Sequence, residues 1–219
     1  MRLIYFMAAL LIGCSVMGAQ AQDTTSPASS DVYKPRMTKA EAKAYVENEG
    51  LALVPDNLTA KILTGDVDTI EALIVAGVDP KAPGSIPQSP LQLAVQTCSL
   101  GERVELKDTL RMVDLFIGAG VDPNHPGVAG LTALMVAAQQ QCPPVVIKRL
   151  LAAGADIDAK TPQGFTPLSM ALIVANYDGA EALIEAGARI KPEVGEKFLT
   201  GEDDDKRLVD LIKRASVTK

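Results

Sequence analysis

The chain has 219 residues, enough for one large domain or two small ones and well above the size at which a core needs staples. With 47% hydrophobic and 22% charged residues it is neither a disordered tail nor a membrane bundle, and 4% aromatics without Trp favour small-residue helix packing over a β-sandwich. A net charge of −6, from 21 basic and 27 acidic residues, argues against nucleic acid as the main partner. One His and three Cys exclude most His-rich or Cys-rich metal sites.

Met1 and Arg2 give a short positive start, followed by the apolar run Leu3 to Ile12 and then small residues. Ala19-Gln20-Ala21 supplies a cleavage pattern before Gln22, so residues 1–21 are expected to be a secretory signal peptide. A spanning helix wants about 20 apolar residues, which makes the run over residues 3–19 marginal as an anchor. A second reading stays open. Leu11-Ile12-Gly13-Cys14 has the form of a bacterial lipoprotein box, in which the cysteine is lipidated and becomes the new N-terminus. The expected compartment is the periplasm, with no membrane span after cleavage; the alternative is a lipoprotein anchored through Cys14. Cleavage after Ala21 leaves 20 basic against 27 acidic residues, a net charge of −7.

Residues 22–37 are rich in Ser, Thr, Pro and Asp without apolar periodicity, and read as a flexible lead-in. A capping-box pattern at Thr38-Lys39-Ala40-Glu41 then opens a helix predicted over 38–49.

The rest repeats. Ala76-Gly77-Val78-Asp79 recurs as Ala119-Gly120-Val121-Asp122, Ala153-Gly154-Ala155-Asp156 and Ala186-Gly187-Ala188-Arg189, with glycine intervals of 43, 34 and 33. An apolar pair precedes each glycine: Leu73-Ile74, Phe116-Ile117, Leu150-Leu151 and Leu183-Ile184. A second marker, Ser89-Pro90-Leu91, Thr132-Ala133-Leu134 and Thr166-Pro167-Leu168, keeps the same 43 and 34 spacing. Ser or Thr there suits an N-cap, and Pro suits the first helical turn. Leu168, Ala171 and Leu172 lie on one helical face, a second helix runs from Gly179 to Glu185, and a glycine C-cap with a polar turn closes the unit. Such a unit is too thin to bury both helix faces alone, so several must stack.

The pattern resembles the ankyrin repeat, a 33-residue helix-turn-helix and β-turn unit with a T-P-L-H-x-A opening, most closely over Gly164–Ala171 with Leu183–Ala188 and over Gly130–Ala138 with Leu150–Asp156. The resemblance covers roughly Asn57 to Pro192. It implies an all-α solenoid of stacked helix-turn-helix units with β-turn or hairpin loops, with units at about 51–83, 84–126, 127–160 and 161–193 and a degenerate cap at 194–219. Lys61-Ile-Leu-Thr-Gly-Asp66 recurs as Lys197-Phe-Leu-Thr-Gly-Glu202, and the last helix is predicted over about Asp204 to Ala215, with Leu208, Val209, Leu211 and Ile212 inward. Gln92, Met135 and Ser169 stand where the family's motif has His, which puts loop order in question.

The resemblance also implies a non-catalytic module that recognises another protein, without cofactor or metal, through hairpin tips and first-helix faces. Matched by register, its contact positions are Lys81, Gln88, Gln96, Thr97, Val128, Leu131, Gln139, Gln140, Lys160, Gln163, Phe165, Ile173 and Val174. Phe165, Leu131, Ile173 and Val174 either form an apolar contact patch or pad the gap between units. An inhibitor or immunity protein against an exported toxin is an alternative of the same kind. An enzyme or enzyme accessory with a cryptic site is the rival class, and predicts a deep pocket with perturbed acids or bases. No catalytic constellation is legible: His125 lies in a turn, Ser89 and Thr166 have capping roles, and Glu202–Asp205 lacks the spacing of a calcium loop.

One unit carries ten extra residues, within Ser99–Asp108, and the next carries one, near Gln141–Pro144. Tolerated loop variation accounts for them, the alternative being a specific contact at a lengthened edge. Cys98 and Cys142 hold matching positions at these two loops, and Cys14 leaves with the signal. In an oxidising compartment they are expected to pair as a disulfide, the alternative being two buried thiols.

Overall fold

The computed structural model describes residues 34–82, 84–199 and 205–216. The expected signal peptide, Cys14, the lead-in as far as Tyr33 and residues 202–204 of the acidic run lie outside them.

Helix α1 (Lys39–Asn48) starts at the predicted capping box: the Glu41 amide donates to Thr38 Oγ1, and the Thr38 amide donates to Glu41 Oε2 at 2.7 Å. The remaining α-helices come as sequential pairs. These are α2 (Pro55–Thr64) with α3 (Val67–Ala76), α4 (Pro90–Gln96) with α5 (Leu106–Gly118), α6 (Ala133–Gln139) with α7 (Pro144–Ala152), α8 (Pro167–Ile173) with α9 (Tyr177–Glu185), and α10 (Pro192–Gly195) with α11 (Lys206–Ser216). Ser89, Thr132 and Thr166 each accept the amide three residues on, so the recurring Ser/Thr positions are N-caps as read. No strand occurs among the described residues.

The first helices α2, α4, α6 and α8 stack in one row, and α3, α5, α7, α9 and α11 stack in a second. α1 packs on α3 and closes the second row only, so it is half a unit. In every repeated apolar pair the first residue (Leu73, Phe116, Leu150, Leu183) is fully buried. Three of the second residues are half-buried against the core, and Ile184 is buried outright. Burial of one such side chain contributes about 1.5–3 kcal/mol. Gly77, Gly120, Gly154 and Gly187 follow with φ from 80° to 128°, a backbone that side-chain-bearing residues rarely adopt.

Three boundaries differ from the sequence reading. α9 begins at Tyr177 rather than Gly179, because Asn176 supplies the N-cap by accepting the Gly179 amide at 3.0 Å. The last helix begins at Lys206 rather than Asp204, and buries Leu211, Ile212 and Ala215 while Leu208 and Val209 are half-buried. The lead-in does not extend to Met37. Glu71 on α3 is 2% exposed, and the Arg36 amide donates to its Oε1 at 2.7 Å while the Arg36 guanidinium lies 3.5 Å from its Oε2. A buried carboxylate needs such partners, and they fasten residues 36–37 to the stack, with Met37 packed on the core.

Loop order is kept by side-chain ties between units. Gln92, at the motif's His position, is buried; its Nε2 donates to the Leu131 carbonyl of the next unit while its Oε1 accepts the Ser89 amide. Asn124 donates to the Gly154 carbonyl at 3.0 Å and accepts the Asp156 amide at 2.7 Å. Gln141 donates to the Val174 carbonyl, and Asn176 Nδ2 to the Ala138 carbonyl. The doubt about loop order is therefore corrected: amide side chains make the ties. Ion pairs cross the second row at Asp68–Arg111, Asp114–Arg149, Lys148–Glu185 and Glu181–Arg214. All are solvent-exposed, and each contributes about 0–1 kcal/mol.

Asn176 serves as cap and as buried inter-unit tie at once. Asn176→Ala is expected to lower stability by about 2 kcal/mol, from the lost cap and the lost partner of the Ala138 carbonyl, read from the urea midpoint at constant m-value.

Candidate partner-binding face and the packed insertion

After each glycine the chain turns on an aspartate. The Lys81, Asn124 and Asp158 amides donate to Asp79, Asp122 and Asp156 at 2.8–2.9 Å, an Asx turn repeated in three units. Two of the following loops close as hairpins, Gly127 N to Leu131 O and Thr161 N to Phe165 O, both at 2.9 Å. This geometry exposes Lys81, Val128, Lys160, Gln163 and Phe165 at the tips. Gln139 and Ile173 are exposed at the ends of α6 and α8. Gln88, Gln96, Leu131, Gln140 and Val174 are half-buried.

Among the apolar candidates the structure separates two roles. Leu131 is half-buried and packs against the core. Val128, Phe165 and Ile173 are 51%, 37% and 40% exposed. Thr97 is a correction: it is fully buried, and its hydroxyl bonds the Ala94 carbonyl at 2.6 Å and Thr109 Oγ1 at 2.8 Å. The first helix of its unit tightens into a 3₁₀ turn over Thr97–Ser99, which turns this position away from the surface its counterparts occupy. His125 is exposed in its turn, as read.

The insertion is folded. It forms the turn at Thr97–Ser99, a second at Gly101–Arg103, and the first turn of the lengthened α5. Val104 is 4% exposed and reaches back onto Gly65 of the preceding unit, where φ is +71° and a Cβ would come within 2.9 Å of a Val104 methyl. In the forward direction the Cys98 and Cys142 Cα atoms are 5.5 Å apart with their sulfurs in bonding contact. The insertion thus touches the units on both sides of its own. Sequence reading missed Val104; its signal was a lone β-branched residue in a polar insertion. It also missed Asn124, whose signal was the Asp-Pro-Asn turn.

The displaced pKa values trace to caps, loop hydrogen bonds, ion pairs and burial. The Thr38 amide and hydroxyl hold Glu41 below its usual range, the Ser85 amide does the same for Asp56, and Arg214 does so for Glu181. Burial pushes Asp66 up, but hydrogen bonds from Lys61 and Thr69 outweigh it and leave it lowered. Burial raises Asp114 against the pull of Arg149, and burial with the Asp205 charge raises Tyr177. Two shallow depressions of about 210 Å³ each lie beside α9: one is lined by Pro144, Lys148 and Glu185 among others, the second by Gln141, Tyr177 and Arg207. Among the described residues no group of three or more His, Cys, Asp or Glu could hold a metal ion, and no helix is long and apolar enough to cross a membrane.

Paired helices stacked in two rows, with glycine-closed turns between units, define a helical repeat solenoid. Residues 100–193 match the family model for ankyrin repeats, in three copies, and this stretch of the chain is an array of ankyrin repeats. Its first unit, α2 and α3, precedes the matched stretch yet packs on the next unit in the same two rows. Comparison with curated proteins gives no match. Ankyrin repeats are protein–protein interaction modules, so the coarse function is binding of a protein partner.

The carboxylates held low in the fold favour the folded state while ionised. Their contribution is complete above an unfolded-state pKa of about 4 and is lost as pH falls through the lower folded values. Urea midpoints are accordingly expected to be flat from neutrality to about pH 5 and to fall below about pH 4. A decline starting near pH 6 would contradict this assignment.

Proposed function

We propose that this protein is an exported, non-catalytic recognition module whose partner docks across the hairpin tips and first-helix ends. The observation that carries the reading is the exposure of Val128 on one unit and of Phe165 and Ile173 on the next, on a face that also exposes the polar Lys160, Gln163 and Gln139. Exposed large apolar groups together with exposed amides and lysines suit a protein surface with a desolvated centre and polar rim. The export half of the reading rests on the signal pattern of residues 1–21, with the periplasm as destination and lipidation of Cys14 as the alternative. Export in turn supports a Cys98–Cys142 disulfide, for which the 5.5 Å Cα separation is the geometric support.

The test is capture from an envelope extract by the immobilised mature protein, with each retained species identified and measured again with purified components. Phe165→Asp with Ile173→Asp should weaken the retained partner about 100-fold or more with the unfolding midpoint little changed. Equal retention by this variant would remove the face from the reading.

A separate measurement addresses export and the bridge. Intact mass of the mature form should correspond to a chain beginning at Gln22 with no titratable thiol after denaturation without reductant. A mass with lipid on Cys14 transfers the protein to the membrane-anchored class. Two free thiols per chain dispose of the disulfide.

A further inference from the structure

We propose that the Cys98–Cys142 bridge is a thiol-sensitive latch, and that reducing it releases the insertion while leaving the stack folded. The inference rests on the bridge proposed above and adds what the bridge controls.

The support is the way the insertion is held. Its backbone hydrogen bonds close locally: Leu100 N to Thr97 O, Arg103 N to Leu100 O, and Asp108 N and Thr109 N to Glu105 O. Its side-chain hydrogen bonds stay within the same unit too, Ser99 Oγ to Gln96 O and Thr97 Oγ1 to Thr109 Oγ1. Beyond its own unit, two contacts hold this stretch. Val104 sits on Gly65 of the preceding unit, and Cys98 meets Cys142 of the following one. The units themselves are held differently, by buried apolar pairs and by the Gln92, Asn124, Gln141 and Asn176 ties, none of which involves the bridge. A segment with local hydrogen bonds, two buried side chains (Thr97, bonded within its own unit, and Val104) and one covalent link opens at lower free energy than the core around it.

Accessibility sets the direction of attack. Cys98 is half-buried whereas Cys142 is 1% exposed, so Cys98 is the side from which a thiolate approaches the bridge. An external dithiol attacks there, forming a mixed disulfide and expelling the Cys142 thiolate, which takes up a proton. The second thiol of the reagent then closes its own disulfide and releases Cys98, which is protonated in turn. The bridge gains two electrons and two protons, and the dithiol loses them. In the oxidised state Leu100 and Leu106 stand at fixed places on this edge, 36% and 38% exposed. In the reduced state the edge bearing Leu100 is free to move, so a surface that is rigid in an oxidising compartment loosens under reducing conditions.

Amide hydrogen exchange of the mature protein, followed by mass spectrometry with and without dithiothreitol, reads this directly. Peptides covering 97–106 should exchange about tenfold faster or more after reduction, while those covering α8 and α9 change by less than about twofold. The Cys98→Ser/Cys142→Ser double variant should exchange like the reduced protein under either condition. Val104→Ala, oxidised, should keep these peptides slower than reduced wild type, since the latch remains. Unchanged exchange on reduction, or uniform acceleration from α2 to α9, would overturn the latch. Two thiols in the untreated denatured protein would instead overturn the bridge beneath it.

Discussion

A helix pair of some 33 residues has more apolar surface than it can cover by itself, and the architecture of this chain follows from that deficit. Leu73, Phe116, Leu150 and Leu183 are fully buried because a neighbouring pair lies against each. The dependence is sequential: each unit is covered by the one before and the one after. The ends are therefore the vulnerable places, and the chain treats them differently. At the start α1 covers the second row only. At the end the four-residue α10 is pressed onto α11, where Gly195 lies so close to Ile212 that a Cβ there would come within 2.8 Å of it.

Polar interactions have a second task, which is to fix how one unit sits on the next. The exposed ion pairs of the second row add little stability each, while the amide ties at Gln92, Asn124, Gln141 and Asn176 satisfy carbonyls or amides that the turns leave open. Glu71 is the expensive exception. A carboxylate 2% exposed requires compensation, and Arg36 supplies it from the segment that precedes the repeats. The stack is thereby joined to the chain that leads into it.

With the core committed to stacking, recognition falls to what the turns project. The Asx turns repeat with the units, so Lys81, Asn124 and Asp158 hold the same place in three turns, and the loops that follow carry the exposed Val128 and Lys160. The insertion departs from that regularity. It spans three units through Val104 and Cys98, and it makes one edge of an otherwise uniform solenoid distinctive.

Periodicity alone determined much of this. The glycine and N-cap markers keep one register, and they place the helices of units two to four within about two residues, since local capping and turn chemistry is written into neighbouring residues. The facing of Cys98 and Cys142 was legible for the same reason, since they lie within one residue of the same register position in adjacent units. Tertiary structure decided what depends on residues far apart in the chain. Thr97 looked like its register counterparts until the 3₁₀ turn and Thr109 drew it inside. Arg36 looked like linker until Glu71, 35 positions away, needed a partner. Val104 looked like loop until it met the one glycine, Gly65, that leaves space for it. Burial is a property of two surfaces at once, and a single stretch of sequence holds only one of them.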